Sequence, residues 1–473
     1  MSKRLIIKTK NENTYSLAQN SGIILSERGL AKSSIKRRNL LKELDLSVTE
    51  KEMKSFTEVE AKETICRYGL TELVLEVTSS CNLRCSYCIF GEKYNELRKH
   101  ENKNMNFEMA KRAIDQYIEL FMSARIYNPS RIPTISFYGG EPLLNFDLIK
   151  KCTKYVKSIY KGEIFITLTS NATLLTDEIL YFFKEYGITP IFSLDGAEEE
   201  HNLHRVMCGN KGTFSTVIKK LNRAYEILEM PLFINTVYSY NTNLNNVINF
   251  FVENPKFICL NLAQVSPVNT TYYEDFSDEQ IEKFFAGYKL LENEFYDYIK
   301  STDKSFNDKI RKRIYMLDLL FSRKCMNIIV RQLFESNNPA SQYTGTCVPG
   351  ERIFLDVDGY YHPCEKISRS RNIGNISTGL NFSGIAEYMN EFNKEIISSC
   401  SSCGIKKMCP VCYNTFLKNG KFIKDGTVCK NNCESFENTF AHYCYLNELD
   451  ETWLDTFRTD YYKKVKELVV TLR

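Results

Sequence analysis

The sequence predicts an α/β protein built around a partial (β/α)6 barrel, and two features carry that prediction. From about residue 70 to 265, short β-rich runs alternate with segments of helical period, the signature of βαβ units with right-handed crossovers and a parallel sheet. Cysteines are then concentrated at two places: Cys81, Cys85 and Cys88 directly after the first predicted strand, and nine more between Cys347 and Cys444. Functional groups in barrels sit at the C-terminal ends of strands, so the first cluster falls where chemistry is expected.

Taken in order, residues 4–8 and 15–25 read as a hairpin turning at Asn20-Ser21-Gly22, and 35–46 reads as a helix, together a small α+β module. The barrel strands are expected at 72–78, 134–138, 164–169, 189–194, 232–237 and 257–265. Between the first two, Phe107, Ala110, Ile114, Tyr117, Ile118 and Phe121 hold one apolar helical face. Two long helices, 277–301 and 308–322, precede a loop-rich cysteine region with a hairpin. The tail, 446–472, reads as one amphipathic helix with Trp453, Phe457, Tyr461 and Val465 on one side. The expected divisions are 1–69, 70–305, 306–346, 347–445 and 446–473.

The 473 residues exceed what one hydrophobic core supports. Hydrophobic residues make up 43% and charged residues 25%, as in ordinary globular proteins. No apolar run is long enough to span a membrane, and Met1 to Ser16 lacks the apolar stretch of a secretory signal, so a cytoplasmic protein with no membrane partner is expected. A net charge of +4 from 62 basic and 58 acidic residues gives no case for nucleic acid, and Lys36, Arg37 and Arg38 read as a solvated helix face. In a reducing compartment, seventeen cysteines point to metal or catalysis before disulfides.

Cys81-Asn-Leu-Arg-Cys85-Ser-Tyr-Cys88 places three thiolates on one loop, where they can converge on a soft metal centre and leave one position of a cubane cluster open. Structural zinc, the alternative, takes four closed ligands. This CxxxCxxC, with Tyr87 before the last Cys, resembles the signature of the radical S-adenosylmethionine (SAM) enzymes, and further motifs fall in that family's order. Gly139-Gly140-Glu141-Pro142 resembles its GGEP, which implies backbone and Glu141 contacts to the methionine amino group. Two glycines would let the backbone approach a ligand closely; a tight turn explains them equally well, but not the Glu and Pro that follow. Ser170-Asn171-Ala172 stands where the family has Thr-Asn-Gly, and Ala in place of Gly implies a negative φ. Ser193-Leu194-Asp195-Gly196, followed by His201 and Arg205, resembles the fourth-strand segment of relatives that carry a C-terminal SPASM domain. There Ser193 would face the SAM ribose and Arg205 its carboxylate, for which a planar guanidinium is suited.

From Cys347 and Cys364 through Cys400-x2-Cys403-x5-Cys409-x2-Cys412 to Cys429 and Cys433, the spacing resembles the SPASM pattern, with one gap a residue shorter than usual. The four thiols from Cys400 to Cys412 would also satisfy one zinc ion, although one ion leaves the other cysteines unexplained. The resemblance implies an outer auxiliary 4Fe-4S cluster on Cys400, Cys403, Cys409 and Cys429, and an inner one on Cys347, Cys364 and Cys412. The inner set is either completed by Cys433 or Cys325 or left open to a substrate thiolate. His362 reads as a surface residue or a neighbour of the ligand Cys364. His100, His201, His204 and His442 have no ligand spacing. Cys152, in a helix face with Leu148, Ile149, Tyr155 and Val156, reads as core, as do Cys66, Cys208, Cys259 and Cys444.

The resemblance therefore implies SAM, one radical SAM 4Fe-4S cluster and two auxiliary clusters, with a flavodoxin or ferredoxin as electron donor. It implies a peptide substrate with a leader sequence and, as product, a thioether cross-link made after hydrogen abstraction by a 5′-deoxyadenosyl radical. A carbon-carbon cross-linking maturase and a sulfatase maturase share these domains. An iron-sulfur or zinc protein without catalysis would have no use for a SAM pocket. Residues 1–69 are similar to the winged-helix modules that bind leader peptides by strand addition; a plain cap on the barrel is the alternative.

Overall fold

The computed structural model describes residues 5–18, 21–26, 54–94, 97, 99–331, 340–341 and 347–470. The helix expected over 35–46, the Lys36–Arg38 cluster and Asn20 lie outside them.

The chain opens with a three-stranded antiparallel sheet, β1 (Leu5–Lys8), β2 (Thr14–Leu17) and β3 (Ile24–Ser26). The stretch 15–25 holds two strands on either side of the expected turn: the chain reverses between Ala18 and Ile23 with Gly22 at φ 72°, a conformation that suits glycine.

Helix α1 (Glu58–Tyr68) starts with a reciprocal capping box between Thr57 and Glu60. The barrel strands follow as β4 (Glu72–Thr78), β5 (Thr134–Gly139), β6 (Phe165–Ser170), β7 (Ile188–Ser193), β8 (Leu232–Tyr238) and β9 (Phe257–Gln264). They lie side by side in sequence order, every pair parallel. Their crossovers carry α2 (Phe107–Ala124), α3 (Phe146–Ile159), α4 (Asp177–Tyr186), a short α5 (Glu198–Asn202) with α6 (Phe214–Leu228), and α7 (Leu244–Glu253). In α2 the expected face is the buried one, with Ala110, Ile114, Tyr117 and Phe121 inside. Leu73, Leu75, Val77, Ile135 and Ile166 are fully buried beneath these helices, which is why the strands read as apolar runs rather than alternating patterns.

Helices α8 (Asp278–Lys300), α9 (Asp308–Phe321) and α10 (Met326–Ile329) lead to the cysteine region. There β10 (Arg352–Leu355) and β11 (Tyr360–His362) form the expected hairpin, and two short strands, β12 (Gly374–Asn375) and β13 (Gly379–Leu380), extend it. This hairpin is not a separate body. Strand β10 pairs in parallel with β4, so the cysteine region continues the barrel sheet at its first edge. Arg352 reinforces the junction with Nε 2.7 Å from Glu72.

Helix α11 (Phe382–Glu395), the small hairpin β14 (Leu417–Lys418) and β15 (Lys421–Phe422), α12 (Gly426–Leu449) and α13 (Trp453–Val470) complete the chain. The single tail helix expected over 446–472 is two helices. Asp450 breaks it by accepting from the Thr452 backbone N–H and hydroxyl, and α13 starts afresh at Trp453.

Candidate active site

The C-terminal end of β4 runs into the loop of Cys81, Cys85 and Cys88, which is fastened on two sides. Ser79 and Ser80 donate through their hydroxyls to Glu101 O at 2.9 Å, while Arg84 and Ser86 donate backbone N–H groups to Val206 O and His204 O. The segment that carries Arg205 is therefore a wall of the cysteine loop.

Gly139 and Gly140 form the floor. Their close approach, expected toward a ligand, is toward the cysteine loop itself: a Cβ on Gly139 would stand 2.1 Å from Thr78 O, and one on Gly140 2.0 Å from Ser80 O. The reason lies in the backbone, since Gly140 N–H donates to Thr78 O and Glu141 N–H to Ser80 O.

The Glu141 carboxylate is buried and accepts from the Asn171 N–H at 2.7 Å, the Ser170 hydroxyl at 2.8 Å and the Leu143 N–H at 3.1 Å. Burial pushes its pKa up to about 7, and these three donors hold it below where burial alone would put it. The Asn171 side chain is engaged within the protein: Nδ2 donates to Asn82 of the cysteine loop, and Oδ1 accepts from Thr173. Ala172, expected at negative φ, has φ 65°. Its N–H is held by the Ser170 hydroxyl, and its neighbours' N–H groups by Glu141 and Asn171, so the turn is over-determined. Such local hydrogen bonds offset the roughly 1–2 kcal/mol that an L-residue loses there.

Beyond β7, Asp195 is buried and ties three segments together. Its Oδ2 accepts from the Tyr87 hydroxyl at 2.5 Å and from Arg205 Nε at 2.9 Å, and Oδ1 accepts from the Val237 N–H. Arg205, itself buried, thus has an internal partner, with its guanidinium 5.5 Å from the Tyr87 ring centroid. Burial alone would lower the Arg205 pKa, but Asp195 more than offsets it and the group stays charged. Burial pushes the Cys85 thiol up to about 12, and Arg205 opposes that shift. Ser193, half-buried at the β7 end, makes no side-chain hydrogen bond among the described residues.

The histidines hold this wall in shape. His201 is buried and neutral, its pKa lowered by burial to about 3, between the Asp195 N–H and Thr213. His204 receives the Ser86 hydroxyl at 2.7 Å and faces Asn241 at 3.1 Å. His100 lies with Nε2 3.7 Å from Cys88 Sγ, a contact that no sequence spacing announced.

The cysteine-rich region divides in two. Cys347, Cys364 and Cys412 neighbour one another beside Tyr413, whose hydroxyl is 3.6 Å from Cys347 Sγ; burial first, then the Glu365 carboxylate, then the other two thiols push Cys364 up to about 12. Cys400, Cys403, Cys409, Cys429 and Cys433 form the second group, with Cys403 and Cys433 sulfurs 4.0 Å apart. Cys433 is therefore not the fourth member of the first group. Nor is Cys325, which is fully buried beside Lys324.

All seventeen cysteines are unbridged. No three His, Cys, Asp or Glu side chains close on a single ion among the described residues. Cys66, Cys152, Cys259 and Cys444 are core, as expected, but Cys208 is exposed, in the loop before Gly209. His362 is buried, not at the surface, with Nε2 2.8 Å from Asp356. No helix among the described residues is long and apolar enough to cross a membrane.

Residues 75–251, from β4 into α7, match the Radical SAM superfamily. The chain carries a radical SAM domain and is an enzyme. Such a domain implies SAM and one 4Fe-4S cluster, and the half-buried, unbridged thiols of Cys81, Cys85 and Cys88 gathered at a strand end are a fitting donor set. An uncharacterized protein of Methanocaldococcus jannaschii is 36% identical over 150 residues, and the match covers 32% of this chain and 47% of that protein. The chain thus matches about half the length of that relative. A cysteine-type anaerobic sulfatase-maturating enzyme of Clostridium novyi is 26% identical over 395 residues, covering 79% of this chain and 94% of its own. Among solved structures, anSMEcpe with bound AdoMet superposes with TM-score 0.59 at 19% identity, over 83% of this chain and 99% of that one. Streptococcus suis SuiB bound to precursor peptide SuiA superposes with TM-score 0.52 at 16% identity, over 90% and 100%. At these identities the two structures speak for the fold.

Proposed function

We propose that this radical SAM enzyme modifies a ribosomally synthesised peptide and closes a thioether between a substrate cysteine and a substrate carbon. Cys81, Cys85 and Cys88 would hold the SAM-binding cluster, the Gly139–Pro142 turn and Glu141 the methionine amino group, and Tyr87, Asn171, Ser193 and Arg205 the rest of the pocket. Cys400, Cys403, Cys409 and Cys429, with Cys433 beside them, would hold an outer auxiliary cluster, and Cys347, Cys364 and Cys412 an inner one, within a SPASM domain over 347–445. Residues 1–69 would recognise the leader, and a flavodoxin or ferredoxin would supply the electron.

When bound, SAM and its cluster would supply the hydrogen-abstracting 5′-deoxyadenosyl radical, and an auxiliary cluster would accept the electron released as the substrate carbon closes onto sulfur. The chain's own residues position and desolvate. Arg205 brings positive charge beside Cys85, Glu141 offers a buried acceptor at the strand end, and the wall from His201 to Met207 closes one side of the cysteine loop. The observation that carries the thioether reading is the grouping of Cys347, Cys364 and Cys412 apart from Cys433 and Cys325, since a three-thiol set has room for a substrate thiolate.

Anaerobic reconstitution should yield about twelve irons per chain and SAM-dependent 5′-deoxyadenosine, lost when Cys81, Cys85 and Cys88 become Ala. With a cysteine-bearing peptide encoded beside the gene, the product should lose two hydrogens and one alkylatable thiol; a product that keeps its thiol would rule the thioether out. The match along most of the Clostridium novyi enzyme favours a sulfatase-maturase activity as the second reading. Oxidation of a cysteine-bearing sulfatase peptide, assayed alongside, separates the two.

A further inference from the structure

Helix α12 carries one continuous stripe. Cys433, Phe436, Phe440, Cys444 and Glu448 recur three or four residues apart, so they share a face. At its first turns the stripe meets the outer cysteine group, with Cys433 Sγ 4.0 Å from Cys403 Sγ. Along its length it meets the N-terminal sheet: Ile7 and Leu17 bury into the same apolar cluster as Phe436, Phe440, Cys444 and Ile405, and Cys403, Cys409 and Cys433 pack against that cluster.

The far end is polar. Thr9 and Asn11 each donate to a Glu448 carboxylate oxygen, at 2.9 and 2.8 Å, and Lys10 reaches Glu292 of α8 at 2.9 Å over the Tyr296 ring. From α10 onward, Arg331 donates to Gly22 O.

The geometry points to one cooperative unit: the N-terminal sheet docks on α12 only while the helix's first turns are pinned to the outer metal centre, so loading of that centre and docking of the sheet stabilise each other. A three-stranded sheet of four, four and three residues has too little core to fold alone. No residue of α12 before Phe436 is fully buried: Val428, Cys429 and Cys433 are half-exposed and only rest against the neighbouring apolar clusters, so these first turns draw much of their order from what the thiols bind. Whatever engages the sheet is then linked by mass action to the outer centre, although neither touches the other's ligand.

The inference rests on the reading that the outer set holds an iron-sulfur cluster, and the test separates the two. Hydrogen exchange is measured on cluster-loaded full-length protein and on a Cys400→Ala, Cys403→Ala, Cys409→Ala variant, with iron counted in both. The expected result is about four irons lost and exchange in β1–β3 faster by about tenfold or more, with β4–β9 protected as before. Unchanged exchange in β1–β3 despite the lost iron overturns the inference and leaves the cluster reading standing. If wild type and variant hold the same iron, the outer set binds none, and both fall. In the reverse direction, Lys10→Ala with Glu448→Ala should speed removal of the outer irons by a chelator about tenfold while the first cluster still cleaves SAM; an unchanged chelation rate with the sheet released also overturns it.

Discussion

Asp195 and Arg205, ten residues apart in sequence, meet as a buried ion pair, Oδ2 to Nε at 2.9 Å, at the wall of the cysteine loop. The side chains are 1% and 8% exposed, so neither charge has water to fall back on. Removing one partner of such a pair leaves the other uncompensated, at a loss of about 3–5 kcal/mol. Asp195→Asn should therefore lower the urea midpoint of the apo-protein strongly, and adding Arg205→Gln should recover part of that loss. A double variant as unstable as the sum of the singles would show that the two charges do not depend on each other.

Gly140→Ala tests the floor of the loop. The added methyl would lie 2.0 Å from Ser80 O and 2.4 Å from Ser80 C, both backbone atoms that cannot swing aside. The loop entering Cys81 must shift. We expect loss of about four irons and of SAM cleavage, with the auxiliary irons retained, by iron analysis and electron paramagnetic resonance.

Glu141 should make stability depend on pH. Its folded pKa, about 7, lies above the ordinary 4.5 because of burial. The native state then keeps a proton that the unfolded chain has given up, so stability falls as pH rises from about 4.5 to 7 and is level above that. The loss is about 3 kcal/mol at most. Denaturant unfolding without SAM at about pH 5 and pH 8 should show this slope in the wild type and not in Glu141→Gln. A wild-type profile that rises with pH would contradict the burial argument.

The outer group has five thiols, one more than the proposed cluster would take. Cys429→Ala and Cys433→Ala should each keep the outer irons, and the double variant should lose about four. Loss in Cys433→Ala alone would make Cys433 an obligate ligand and Cys429 the spare.

Much of this architecture was legible in the chain. The six barrel strands fall within two residues of their expected bounds, because parallel strands covered by helices are largely apolar runs ended by polar or glycine turns. Spacing alone showed that the cysteines are concentrated, but it groups Cys412 with Cys400, Cys403 and Cys409; the division that sets Cys412 beside Cys347 and Cys364 came from the resemblance to the SPASM pattern. Long-range pairings were not legible: nothing in the four residues Arg352–Leu355 indicates a parallel partner 280 positions earlier. Nor does Asp195 declare by spacing that it binds both Tyr87 and Arg205. Ala172 misled for a different reason. Residue type sets the intrinsic preference for φ, but three hydrogen bonds around the turn override it. His100 reaches Cys88 through an irregular loop that has no period to read.

The parallel pairing of β10 with β4 bears on how this protein can be cut. A fragment ending before Arg352 would leave the β4 backbone bare along one side, an open template for stray strands and for clumping. The cysteine-rich portion, expressed by itself, would lack the strand it leans on. Truncation is therefore a poor way to assign roles to the two halves, and point substitutions in the intact polypeptide are the better instrument.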